Sequence, residues 1–159
     1  GIMRAEDWHT ASGFLATAQV DVAATPEQVW QALTDPEQIA VYMHGSNAVT
    51  TWEVGSPITW EGEYEGRPYQ DKGAVLTYDE PHVLSVTHYS PMMGQPDEPE
   101  SYHTLVYTLT PSDSASGSGD DPVTHLELTQ DGNESQEQAD QFSQNWQQML
   151  DGLKAQVEG

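Results

Sequence analysis

Few side chains in this sequence could do chemistry, and two histidines lead them. His88 and His103 flank the segment Pro91 to Glu100, which is rich in turn formers. If that segment joins adjacent antiparallel strands, residue 88 falls opposite 103, and both share a face with Leu84, Val86, Leu105 and Tyr107. Two imidazoles at one end of an apolar face could bind a metal, shuttle a proton or hydrogen-bond a carbonyl. The plainer alternative is that water or backbone satisfies each ring. A metal site would need a third ligand, and only scattered carboxylates are on offer, without recognisable spacing. No metal or other cofactor is therefore expected. There is no Cys, and no Ser-His-Asp order, Gly-rich phosphate loop or paired-acid motif stands out. Catalysis has no positive support in the sequence. A cyclase or hydrolase using His88, His103 or Tyr107 as acid/base groups is kept as an alternative.

Charge narrows the partners. Four Lys plus Arg stand against 26 Asp plus Glu, a formal net charge of -22. Phosphate binding rests on basic side chains, so neither nucleic acid nor an anionic membrane is an expected partner. Such acidity could signal disorder, but five Trp, seven Tyr and clear periodicities argue that the chain buries enough apolar surface to fold. The reading adopted is adaptation to high internal salt, where a Debye length of roughly 3 Å at 1 M screens self-repulsion. The absence of Cys fits a reducing cytoplasm. No signal-peptide h-region and no long apolar run is found, so a cytoplasmic location is expected.

The elements that must position these side chains are well signalled. Residues 1–11 form a polar lead-in, and one domain is expected over 12–159. From Ser12 to Val22 apolar residues alternate through Phe14, Ala16, Ala18, Val20 and Val22, a half-buried strand. Thr25-Pro26-Glu27-Gln28 opens a helix carrying Val29, Trp30 and Leu33 inward. Asp35-Pro36-Glu37-Gln38 opens a second, with Ile39, Tyr42 and Met43, ended by Gly45. The period then changes to 2. Strands are expected at about 48–54, 57–65, 69–79, 82–90, 101–110 and 123–130, joined by short turns and by a mobile Gly/Ser/Asp loop from Ser112 to Asp121. Ser135 to Val157 is a long amphipathic helix whose stripe is Ala139, Phe142, Trp146, Met149, Leu150, Leu153 and Val157. Ser135 with Gln138 reads as its capping box. One strand, two helices, six strands and a long helix make an α+β fold.

Pro26, Val29-Trp30, Ala32 to Pro36 and Ile39, then Trp52, Gly55, Gly73 with Val75, Pro81 and Leu84, and finally Trp146, Leu150 and Leu153-Lys154 carry a resemblance. Together, in order and spacing, they resemble the START-like, or helix-grip (SRPBCC), superfamily. The nearest branch is the family of homologues of the heat-shock-protein-90 ATPase activator. The resemblance implies a seven-stranded curved antiparallel sheet wrapped around the C-terminal helix, two short helices between strands 1 and 2, and an apolar cavity in the grip. It implies no single activity, since such folds host lipid carriers, cyclases, receptors and co-chaperone domains.

Combining that fold with the inward faces gives the candidate ligand-binding residues: Met43, His44, Trp60, Tyr64, His88, Met92, His103, Tyr107, Phe142, Trp146 and Met149. Aromatic bodies supply apolar area, while hydroxyl and ring N–H groups orient a ligand. His44 would sit near the mouth. Met92 and its neighbour Met93 would form an adaptable lid. The expected function is binding of a hydrophobic or aromatic small molecule in a salt-adapted protein, a monomer or weak dimer. A chaperone-partner module is the rival reading.

Overall fold

The computed structural model describes residues 14–112 and 121–159. The lead-in expected over 1–11 and the loop through 113–120 lie outside the described residues. The order is β1 (Phe14–Val22), α1 (Pro26–Thr34), α2 (Pro36–Tyr42), β2 (Asn47–Thr50), β3 (Pro57–Tyr64), β4 (Arg67–Asp79), β5 (Val83–His88), β6 (His103–Pro111), β7 (Thr124–Asn133) and α3 (Gln136–Glu158). Two single 3-10 turns, Pro91–Met93 and Pro99–Ser101, lie between β5 and β6. The strands form one seven-stranded sheet in the order β1-β7-β6-β5-β4-β3-β2, antiparallel throughout. This is the expected α+β helix-grip architecture.

Local chemistry explains where the helices begin. Thr25 Oγ1 accepts the Gln28 N–H at 3.1 Å, and Gln28 Oε1 accepts the Thr25 N–H at 2.9 Å, a complete capping box. Asp35 accepts the Glu37 N–H at 3.0 Å to start α2. At α3 only half of the expected box forms. Ser135 Oγ accepts the Gln138 N–H at 3.0 Å, but Gln138 Oε1 takes the N–H of Glu134, one residue earlier, at 2.8 Å.

The core lies between the concave sheet face and the helices. Ala18 and Val22 of β1, Trp30 of α1, Ile58, Val75, Leu84, Leu105 and Leu128 of the sheet, and Leu150 and Leu153 of α3 all belong to it. Two expectations are corrected. Phe14 is 46% exposed, because the β1–β7 register shifts between Phe14 and Ala16 and ends the alternation there. The second strand stops at Thr50 and does not run to 54. Trp52 takes φ 64°, which no strand tolerates, and its Nε1 donates to the Thr34 carbonyl at 3.0 Å, closing the C-terminal end of α1.

The β3–β4 hairpin sets the register that matters most for the site. Glu65 and Gly66 both have positive φ, 53° and 80°, as a two-residue type I′ turn requires. Counting back from it places Trp60 opposite Asp71.

Candidate functional site

His88 and His103 are directly opposed on β5 and β6, the register expected from the sequence. Each ring is held from a different side. His88 Nε2 lies 3.0 Å from Asp71 Oδ2 on β4, and its ring tilts against Trp60 with centroids 5.1 Å apart. His103 Nδ1 lies 2.7 Å from the Asp131 carbonyl of β7, and its ring is 5.9 Å from that of Phe142 on α3. A carbonyl oxygen only accepts, so His103 Nδ1 carries the proton and Nε2 of the neutral ring is an acceptor.

Among the described residues, three neighbouring cavities in the grip share walls. An outer chamber of about 120 Å³ lies between the 90–101 loop and α3, bounded by His88, Met93, His103, Gln130 and Phe142 among others. A middle chamber of about 60 Å³ is enclosed by Met43, Ser46, Trp60, Tyr69, Asp71, His88, Leu105, Tyr107 and Trp146. A third chamber of about 30 Å³ is lined by Leu33, Tyr42 and Ile58 among others. His88 belongs to the outer and middle chambers. Met43, Trp60 and Tyr107 are shared by the middle and third ones.

The structure therefore brings together Met43, Trp60, His88, Tyr107 and Trp146 around one chamber, with His103 and Phe142 around the next. His44 is exposed with φ 56° and lines none of these chambers. Met149 packs against the core and also lines none. The side chains of Tyr64 and Met92 lie outside the described part of the structure. Met93 of the same loop borders the outer chamber.

Polar groups in the walls were missed at the sequence level. Gln130, 1% exposed, accepts the Trp146 Nε1–H on its Oε1 at 2.9 Å, which fixes the indole at the junction of β7 and α3. Asp71 of β4 was not among the candidate residues. The signal that could have found it is the hairpin register, which puts it beside the inward-facing Trp60. Burial raises the Tyr107 phenol, part of whose surface borders the cavities, far above its ordinary value of 10.0. Burial likewise raises Tyr42, whose hydroxyl donates to the Ala32 carbonyl at 3.0 Å. Both phenols are neutral walls, not bases.

The loop roofing the outer chamber is strapped down. Tyr89 stacks on Tyr102 with centroids 5.1 Å apart and donates its hydroxyl to the Gln95 carbonyl at 2.7 Å. Asp97 accepts from the Tyr102 hydroxyl and pairs with Lys72. The hydrogen bond from Lys72, then that from Tyr102, holds the Asp97 carboxyl below its usual range. Among the described residues no group of three or more His, Asp or Glu could hold a metal ion, and no helix is long and apolar enough to cross a membrane.

The model of the family described as Activator of Hsp90 ATPase homolog 1-like protein matches residues 23–158. The chain belongs to that family. A protein from Cytophaga hutchinsonii, solved in solution, is 39% identical over 92% of this chain and 95% of its own, with TM-score 0.77. The Aha1 dimer from Colwellia psychrerythraea is 17% identical, covering 91% and 96%, with TM-score 0.66. An HSP90 activator from Plasmodium falciparum is 18% identical, with the same coverage and TM-score. At those lower identities the likeness is one of fold. No curated protein matches the chain. The helix grip is thus the fold of the Activator of Hsp90 ATPase homolog 1-like family, and the chambers between sheet and α3 are this member's candidate site.

Proposed function

We propose that the protein binds a hydrophobic or aromatic small molecule between the sheet and α3, without covalent chemistry. The observation that carries this reading is the row of chambers sharing His88, Met43, Trp60 and Tyr107 as walls. A dry cavity near 150 Å³ holds benzene, so an aromatic ligand needs more than the middle chamber alone and must displace a shared wall. Met43, unbranched and only partly buried, is the wall best able to move. A tryptophan-fluorescence screen of apolar and aromatic compounds tests this, since Trp60 and Trp146 flank the middle chamber. Saturable quenching that Met43→Trp abolishes is expected; no saturable hit would remove the proposal.

The acidic surface fits a protein working at high salt, where screening replaces counter-charges. A second reading, a chaperone-partner module, is favoured by the family description and by the matched HSP90 activator fold. Stimulation of the host's own chaperone ATPase, unaffected by Met43→Trp, would favour it over the ligand-binding reading.

A further inference from the structure

Among the described residues, the one carboxylate in the lining of the middle chamber has an open oxygen. Asp71 spends Oδ2 on His88, while its Oδ1 is shut off from solvent and has no hydrogen-bond partner. Ser46, 2% exposed, has an Oγ in the same condition. Both residues are walls of the one chamber. A buried carboxylate oxygen without a donor is costly, and the cost is relieved by any group that brings an N–H or O–H to it. Since a carboxylate accepts, His88 Nε2 donates to it. His103, in the next chamber, spends its Nδ1–H on the Asp131 carbonyl.

No Lys or Arg among the described residues answers the open Asp71 oxygen. The described Lys and Arg residues are Arg67, Lys72 and Lys154, and none lines a chamber. Lys72 is paired with Asp97 on the outside. Lys154 is bound to Glu158 and the Asp21 carbonyl, each at 2.6 Å. Arg67 stands exposed beside the β3–β4 turn. An anionic head entering the middle chamber would meet the Asp71 carboxylate with no Lys or Arg among the described residues to offset the repulsion, and with His88 already bound to that carboxylate.

We infer that the middle chamber selects ligands whose buried end is a hydrogen-bond donor, an amine or hydroxyl on an aromatic or aliphatic body, and rejects carboxylates. Asp71 receives the donor, and the Ser46 hydroxyl, which both donates and accepts, pairs with the same end of the ligand. His88 holds the Asp71 carboxylate in place through its Nε2–H, and Trp60 and Trp146 flank the apolar body. Fatty acids and aromatic acids are accordingly poor ligands. This rests on the ligand-binding reading above.

Calorimetric titration of the full chain with four probes of similar size tests it: phenethylamine, 4-ethylphenol, ethylbenzene and 3-phenylpropionate. The first two are expected to bind about tenfold or more tightly than the last two, the scale of one hydrogen bond to a charged group. Asp71→Asn, which keeps the volume and an acceptor for His88, should erase most of that preference. Ser46→Ala should reduce it by several-fold, and circular dichroism checks that both variants fold. If all four probes bind alike, or 3-phenylpropionate binds best, donor selection is overturned while the cavity stands. If none binds, both the selection and the ligand-binding reading fall.

Discussion

Gln147 of α3 and Gln19 of β1 exchange two hydrogen bonds: the side-chain Oε1 accepts the Gln19 N–H at 3.2 Å, and Nε2 donates to the Gln19 carbonyl at 2.9 Å. The amide stands in for a neighbouring strand. β1 is an edge of the sheet, and α3 serves that edge along its length. Ser143 Oγ accepts the Thr17 N–H at 3.0 Å, Lys154 donates to the Asp21 carbonyl at 2.6 Å, and Glu158 accepts the Ala23 N–H at 2.8 Å. The polar side of the helix is thus not merely solvated. It blocks an edge that could otherwise pair with a second chain.

Replacing Gln147 with Ala should remove both bonds at Gln19. The expected cost is about 1–2 kcal/mol, two modest net hydrogen bonds, read by chemical denaturation. Sedimentation of the same variant should reveal self-association through the bared edge. A variant as stable and as dispersed as the parent would deny the edge-blocking role.

At Gly73 the backbone of β4 lies against that of β5 with no room for a side chain. A Cβ built there would stand 1.7 Å from the Thr87 carbonyl oxygen, while Thr87 Oγ1 accepts the Ala74 N–H at 2.9 Å. Gly73→Ala must therefore push two strands apart, and a loss of about 3 kcal/mol is expected, the upper range for overpacking. Urea unfolding measures it.

The Tyr107 phenol keeps its proton to higher pH when folded than when unfolded, because burial disfavours the phenolate. Its contribution is complete below the ordinary value of 10.0 and is lost as pH rises past it. Stability should therefore fall through alkaline pH, by up to about 1.4 kcal/mol per pH unit for each such group. Tyr107→Phe should flatten the fall by one group, leaving the share of Tyr42. Denaturation midpoints at several alkaline pH values would test this, and an identical slope in the variant would refute it.

A chain of net charge -22 repels itself at low ionic strength. Raising KCl from about 0.1 M to 1 M shortens the Debye length from roughly 10 Å to 3 Å, so Tm should climb by about 5 °C or more. A Tm that fell with salt would count against salt adaptation.

Local chemistry made much of the site's frame legible. The Thr25 and Asp35 caps start their helices at the expected residues, and the turn-rich segment after β5 predicted the His88–His103 opposition found in the sheet. Of the candidate residues, Met43, Trp60, His88, Tyr107 and Trp146 meet at one chamber because alternation and helical period fix which face each occupies. His44 and Met149 border none of these three chambers. His44 sits exposed in a left-handed turn, and Met149 packs against the core.

The sequence by itself determined the periods, caps and hairpin registers, since each depends on residues near one another in the chain. Only the tertiary structure decided which of 26 acidic side chains is turned inward to His88, which polar residues of α3 serve the β1 edge, and where packing leaves room. Those relationships join residues up to 135 positions apart. They depend on how the sheet closes around the helix, a distance that no local pattern encodes.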